Sequence, residues 1–337
     1  MATLNGLFDE FLSKIEPDAD TRADAIEAHE DVRDWLAGHS TFSAVHVETF
    51  LAGSYRRRTS VTPIKDVDIV VVCAMSEYDE SDPKKLLTKL KVALDDNKKY
   101  KTKTTPRRRS IQIELARVDM DIVPTVAPNG ADKPLLIPDR DVTRWFDTNP
   151  KGHITWTQTL NAATKDDEND RGRFVPLVKM ARWWKRERLR SRRHPKGHMM
   201  ELMAGYHHDP KARDWPDVFV AWVERTTTAL AIYRQIGSMP SFSDPGLPGQ
   251  TIKTGMEQDD FNRFYDELAK TLPIAQRARD LAATDLTASA KLWRQIFGDA
   301  FPLPDDDARN EEGPAKGSVA APSILNRPDI REAPTFG

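Results

Sequence analysis

Two aspartates one residue apart, Asp66 and Asp68, open a β-branched run, Asp66-Val67-Asp68-Ile69-Val70-Val71-Val72. In an extended strand residues i and i+2 project from one face, so both carboxylates point the same way. A further acidic stretch, Asp119-Met120-Asp121-Ile122-Val123-Pro124, ends another strand-like run. Carboxylates gathered this closely repel and raise one another's pKa, a strain that bound cations relieve. Oxygen-only donors select hard ions, so Mg²⁺ or Mn²⁺ is expected on Asp66, Asp68 and Asp121. Asp119 lies two residues before Asp121 on the same face, a second candidate beside it. Two such ions clamp the attacking and leaving oxygens of a phosphoryl-type displacement. Upstream, Val45–Leu51 alternates like a strand and leads to Gly53-Ser54, with eleven residues between Ser54 and Asp66. Glycine lets backbone approach a phosphate, and the serine hydroxyl can donate to triphosphate oxygens. Alone, Gly-Ser is a turn and Asp-x-Asp is two solvated carboxylates. Together at strand ends, they point to nucleotide chemistry.

Positioning these groups requires a sheet. Beyond the strands at 45–51, 66–72, 111–115 and 118–123, the last expected to stop at Pro124, helical spacing recurs. It covers 4–15, 20–38 and 83–95, then 153–165, 173–190, 198–206, 215–236, 257–270 and 272–298. An α/β (α+β) chain follows, with strands concentrated in 40–130 and helices in 150–300. Three parts are expected: 1–150 with N-terminal helices and the acidic sheet, 151–301 as a helical lobe, and 302–337 as a tail. That tail holds six of the 23 prolines and no amphipathic period.

Composition narrows the class. With 337 residues, 39% hydrophobic and 30% charged, the chain has ample core material, which excludes a disordered or fibrous protein. The longest apolar stretch, Ile69–Met75, is seven residues, against about 20 for a membrane-spanning helix. A single cysteine, Cys73, and no secretory signal after Met1 suggest a cytoplasmic protein outside the membrane. Net charge is −2, so no global field would hold long nucleic acid. Two basic blocks stand out, Lys98–Arg109 without an acid and Lys179–Arg193 with only Glu187. Each reads either as a solvated face or as a seat for a small polyanion such as a nucleoside triphosphate.

The spacing of Gly53-Ser54 and Asp66-x-Asp68 resembles the signature of the nucleotidyltransferase superfamily. The chain is most similar to the bacterial cGAS/DncV-like nucleotidyltransferases, relatives of oligoadenylate synthetase, over nearly all of 45–302. Asp121-Ile122-Val123-Pro124, the helix Pro176–Lys185 (PLVKMARWWK), the turn Ser241–Pro245 (SFSDP) and Leu292–Asp299 (LWRQIFGD) carry the resemblance further. It implies a bilobed fold with a polymerase-β-like core and nucleotides bound between the lobes. Asp66, Asp68 and Asp121 would ligate metal, with Asp121 assisting deprotonation of the acceptor hydroxyl. Gly53, Ser54, Lys179 and Arg182 would bind the nucleotide, Lys179 and Arg182 matching the family's triphosphate-holding pair. The chain departs from the family at Arg182, where lysine is usual, and at Gly197, where a serine is common. The implied reaction condenses NTPs (ATP, GTP or other bases) into a cyclic di- or trinucleotide with release of pyrophosphate. In bacteria such a product serves anti-phage signalling through a separate effector protein.

Other features allow two readings. His194, His198, His207 and His208 suggest zinc only weakly, because no thiolate accompanies them. Trp183-Trp184 reads as helix core or as a base-stacking surface, and Arg107–Arg109 as an edge guard or a phosphate contact. The terminal Thr335-Phe336-Gly337 is either a frayed end or, as the resemblance implies from some of these systems, a site where a ubiquitin-transfer-like enzyme conjugates Gly337. The rival functions are RNA tailing or small-molecule nucleotidylation, and a silent nucleotide-binding scaffold.

Overall fold

The computed structural model describes residues 2–64, 66–115, 119–165, 170–190 and 194–304. In chain order the elements begin α1 (Leu4–Ile15), α2 (Ala19–Gly38), β1 (His46–Leu51), α3 (Gly53–Arg56), β2 (Asp66–Cys73) and α4 (Lys84–Asp95). Next come β3 (Thr104–Pro106), β4 (Ile111–Ile113), β5 (Asp119–Val126), β6 (Leu135–Asp139) and β7 (Arg144–Thr148). The helical part follows: α5 (Pro150–Ala163), α6 (Phe174–Arg188), α7 (Gly197–His207) and α8 (Trp215–Ile236). It ends with β8 (Ser241–Ser243), β9 (Thr251–Lys253), α9 (Gln258–Leu281) and α10 (Leu286–Phe297). No helix among the described residues is long and apolar enough to cross a membrane.

The main sheet is mixed. β1 runs antiparallel to β2, β2 parallel to β5, and β4 and β3 continue antiparallel from β5. The β6–β7 hairpin joins through Val126 and Leu136. Both faces of β2 are covered, which explains its continuous apolar run. Val67, Ile69, Val71 and Cys73 pack under α2 and α4. Val70 and Val72 face the other way, against Ala52 and Leu135. Burial pushes the free Cys73 thiol up to about 12, so it acts as a small apolar residue.

Pro124 does not end its strand, contrary to the expectation from sequence. It sits in β5 opposite Val71, while β4 pairs only with Met120–Ile122, so no neighbour on that side needs its missing N–H. A second difference lies at Thr271, where the spacing sets a break between helices 257–270 and 272–298; α9 runs through it, with Pro273 inside. Phe264 and Leu268 before it and Ala275 and Ala278 after it bury on both sides, holding the helix through the lost hydrogen bond. The break comes later, where Asp285 caps α10 by accepting the Ala288 N–H at 2.8 Å. The short strands β3, β6, β7, β8 and β9 had no counterpart in the sequence reading.

Helix α1 packs with the helical lobe, whereas α2 packs on the sheet. The fully buried Phe8 lies 4.9 Å from Trp293 and 5.0 Å from Phe301, in edge-on geometry. Trp183 and Trp184 belong to the same core, donating to Phe297 O and Thr271 Oγ1 at 2.9 Å each. The core reading of that pair is therefore the one the structure supports. Phe8→Ala should cost ~3–5 kcal/mol through the cavity it leaves, read as a fall in melting temperature by scanning fluorimetry.

Candidate functional site

The acidic residues meet because β2 and β5 are parallel and in register. Asp66 pairs with Asp119, and Asp68 with Asp121. Alternation then places four carboxylates on one face at one end of the sheet. The recess around Asp68 raises its pKa to about 6, with Asp66 and Asp121 adding like-charge repulsion; Arg57 and Arg182 oppose the rise. Asp121 is also raised, mainly by burial, although the Ser110 hydroxyl donates to its Oδ1 at 3.1 Å. Among the described residues no three His, Cys, Asp or Glu side chains are gathered to hold an ion as they stand. What fits a hard cation is the chemistry: an all-oxygen row whose members resist carrying charge together. Asp119 remains beside Asp121 on this face, as the strand period requires.

Gly53 completes the acidic edge. The Ala52 N–H bonds to Asp68 O at 2.8 Å, and the chain then turns sharply at Gly53 with φ +60°. A Cβ on Gly53 would lie 1.7 Å from Asp68 Oδ2, so only glycine satisfies both the turn and the close approach. Ser54 follows at once, its Oγ accepting from Ser60 Oγ at 3.3 Å. Its carbonyl accepts the Thr59 N–H at 2.9 Å, which closes the loop after α3.

Basic groups from the helical lobe reach this edge unequally. Arg182 on α6 donates from Nη1 to Thr59 O at 3.0 Å, and its charge is felt at Asp68. Lys179, one turn earlier, is buried and donates to Glu16 Oε1 at 2.8 Å. Neither stands on a solvated face. The two departures noted in the sequence form one packing unit. A Cβ on Gly197, at the start of α7, would lie 2.6 Å from Arg182 Nη2. The longer arginine occupies the space that a serine side chain would need.

The remaining candidates separate. Arg108 and Arg109 both donate from Nε to the buried Asp139 at 2.7 Å, tying the Arg107–Arg109 run to the β6–β7 hairpin. Arg107 donates to the Gln112 side chain. The four histidines are scattered: His198 stands 5.1 Å from His153, His207 against Phe242, His208 against Phe174, and His194 at a separate turn before Pro195. Gly337 lies outside the described residues.

Sequence reasoning missed Arg57, Glu201 and Ser110. Arg57 donates from Nε and Nη2 to Glu201 at 2.8 and 3.0 Å, both side chains nearly sealed from solvent. The available signal was Glu201 itself, a single carboxylate inside the apolar run Met199-Met200-Glu201-Leu202-Met203. Burial of a charged residue requires a partner.

Three comparisons with known proteins bear on the family and fold of the chain. Residues 1–161 match the Second Messenger Oligonucleotide or Dinucleotide Synthetase domain. A cyclic AMP-AMP-AMP synthase from an Acinetobacter strain is 36% identical over 303 residues, covering 88% of this chain and 84% of the relative. A cyclic AMP-AMP-GMP synthase from Enterobacter hormaechei is 27% identical over 369 residues, covering 91% and 94%. Among solved structures, the CD-NTase CdnG of Bradyrhizobium diazoefficiens in complex with GTP superposes with a TM-score of 0.71 at 18% identity. That match covers 87% of this chain and 95% of the other.

The Arg182–Gly197 unit gives a direct test. Gly197→Ser should push Arg182 off Thr59 and lower stability by ~1–3 kcal/mol, as overpacking does. Adding Arg182→Lys should recover most of the lost melting temperature. A double variant no more stable than the serine single would refute the coupling.

Proposed function

The chain belongs to the bacterial cGAS/DncV-like nucleotidyltransferases, and on that footing we propose that it joins NTPs into a cyclic trinucleotide containing adenosine. It is a nucleotidyltransferase of cyclic-oligonucleotide second-messenger synthesis, the chemistry that its relatives' names share. The product size and adenosine content rest on those relatives, AMP-AMP-AMP and AMP-AMP-GMP synthases. The observation carrying the reading is the register of β2 and β5, which lines up Asp66 and Asp68 with Asp119 and Asp121 beside Gly53-Ser54.

Asp66, Asp68 and Asp121 are the proposed ligands for Mg²⁺, or Mn²⁺. These residues would hold a divalent cation that, when bound, would offset the carboxylate charge and supply stabilisation for the charge growing on the phosphates. The backbone at Gly53 and the hydroxyl of Ser54 receive triphosphate oxygens, and Arg182 adds a guanidinium suited to bidentate phosphate contact. Lys179, held by Glu16, contributes positive charge one turn away on α6. Asp121 assists removal of the proton from the ribose hydroxyl of the acceptor nucleotide. That oxygen attacks the α-phosphorus of a second NTP, pyrophosphate departs, and repeated transfer followed by intramolecular attack closes the ring. The work belongs in the cytoplasm, where NTPs are abundant, as part of an anti-phage system whose separate effector reads the product.

The deciding assay incubates purified protein with all four NTPs and Mg²⁺, removes linear products with phosphatase and identifies the remainder by mass spectrometry. A phosphatase-resistant cyclic trinucleotide should form, and should vanish in Asp66→Ala/Asp68→Ala and on chelation with EDTA. Linear chains alone would overturn the proposal. For Gly337 we propose conjugation by a ubiquitin-transfer-like enzyme, a reading that rests on the family resemblance. Deleting Gly337 should abolish high-molecular-weight conjugates on an immunoblot from the native host, and an unchanged ladder would end that idea.

A further inference from the structure

Glu201 is 1% exposed, yet four donated hydrogen bonds from three residues in two parts of the chain converge on it. Arg57 Nε and the Thr157 hydroxyl of α5 donate to Oε1, each at 2.8 Å. Arg57 Nη2 donates to Oε2 at 3.0 Å, and the Thr59 hydroxyl reaches the same oxygen at 3.4 Å. A buried ion pair carries a desolvation penalty that well-packed apolar side chains of similar volume avoid. Cohesion between the lobes alone therefore gives no reason for a charge here.

The partners of Glu201 suggest what it does. Arg57 and Thr59 are gripped by their side chains at Glu201 and by their backbones at the Gly53-Ser54 turn. The Arg57 N–H bonds to Gly53 O at 3.3 Å, and the Thr59 N–H bonds to Ser54 O at 2.9 Å. A displacement of Glu201 is thus passed to the Ser54 turn through Arg57 and Thr59, each one backbone hydrogen bond away from it. Thr157 ties the same carboxylate to α5, so the reference frame is the helical lobe. Arg57 also faces Asp68, opposing its rise in pKa.

We infer that Glu201 is a positioning residue that fixes the Ser54 turn against the acidic edge from the helical lobe, through Arg57 and Thr59. The inference rests on the proposed phosphate-binding role of Ser54. Its test is a double-mutant cycle in the full chain, reading the affinity for a non-hydrolysable ATP analogue with Mg²⁺. Ser54→Ala should weaken binding about tenfold in the otherwise unaltered protein, the effect of about one hydrogen bond to a charged group. In Glu201→Gln, which keeps the side-chain volume, the same change should cost less than about twofold, as expected for coupled sites. Equal losses in both backgrounds overturn the inference. If Ser54→Ala costs nothing in the parent, the phosphate role of Ser54 fails instead. Hydrogen exchange then decides the positioning: the Arg57 and Thr59 amides should exchange faster in Glu201→Gln, and unchanged rates would end it. Should Glu201→Gln not fold, Arg57→Met/Glu201→Met replaces the ion pair with apolar packing. Analogue binding at the parent's affinity in that variant would show that the pair serves packing alone.

Discussion

Mutual repulsion among carboxylates on one face of the β2–β5 pair is the constraint to which the rest of the site answers. Parallel pairing in register leaves Asp66, Asp68, Asp119 and Asp121 no way to separate without breaking the central ladder. The protein answers with cations held at a distance: Arg57 and Arg182 stand near Asp68, each fixed by acceptors elsewhere. Burial first, and the neighbouring carboxylates with it, outweigh these guanidiniums, so the Asp68 pKa remains raised. The remaining negative charge is what a divalent cation, and with it a nucleotide's phosphates, would complete.

Two lobes must cooperate for this to work. The sheet supplies the carboxylates and the Gly53-Ser54 turn, and the helical lobe supplies Arg182 from α6 and Glu201 from α7. Gly197 lets α7 begin directly beneath the Arg182 guanidinium, and the Thr59 carbonyl holds that guanidinium from the other side. Side-chain size at one position thus sets the allowed residue at the other. An arginine at 182 and a side chain at 197 compete for one space, so in this chain the arginine goes with a glycine.

Much of the site was legible in the sequence because its signals are local. The period of two in Asp66-x-Asp68, the β-branched run after it and the glycine before Ser54 each report on a few neighbouring residues. The parallel pairing that brings Asp121 level with Asp68 is non-local, and no local signal displays its register. Helix 4–15 was readable from its spacing, but not the fact that it buries against α10 rather than the sheet. Pro124 misled for a physical reason. Proline signals a missing N–H, and whether that matters depends on a partner strand or packing surface that sequence does not display. Arg57 and Glu201, 144 residues apart, could be joined only by tertiary structure.

The path of the N-terminus has a mechanical consequence. Because α1 is built into the helical lobe and α2 into the sheet, the chain crosses between lobes at Glu16–Asp18. It crosses nearby again at Val61–Ile64, where the Thr62 N–H bonds to Ile15 O at 2.8 Å and Arg186 Nη1 bonds to Thr62 O. Laced together, the two crossings form a seam, and a third passage, from β7 into α5, joins the same two parts elsewhere. The carboxylate edge and the Arg182 guanidinium are thereby held together by the chain itself as well as by side-chain bonds.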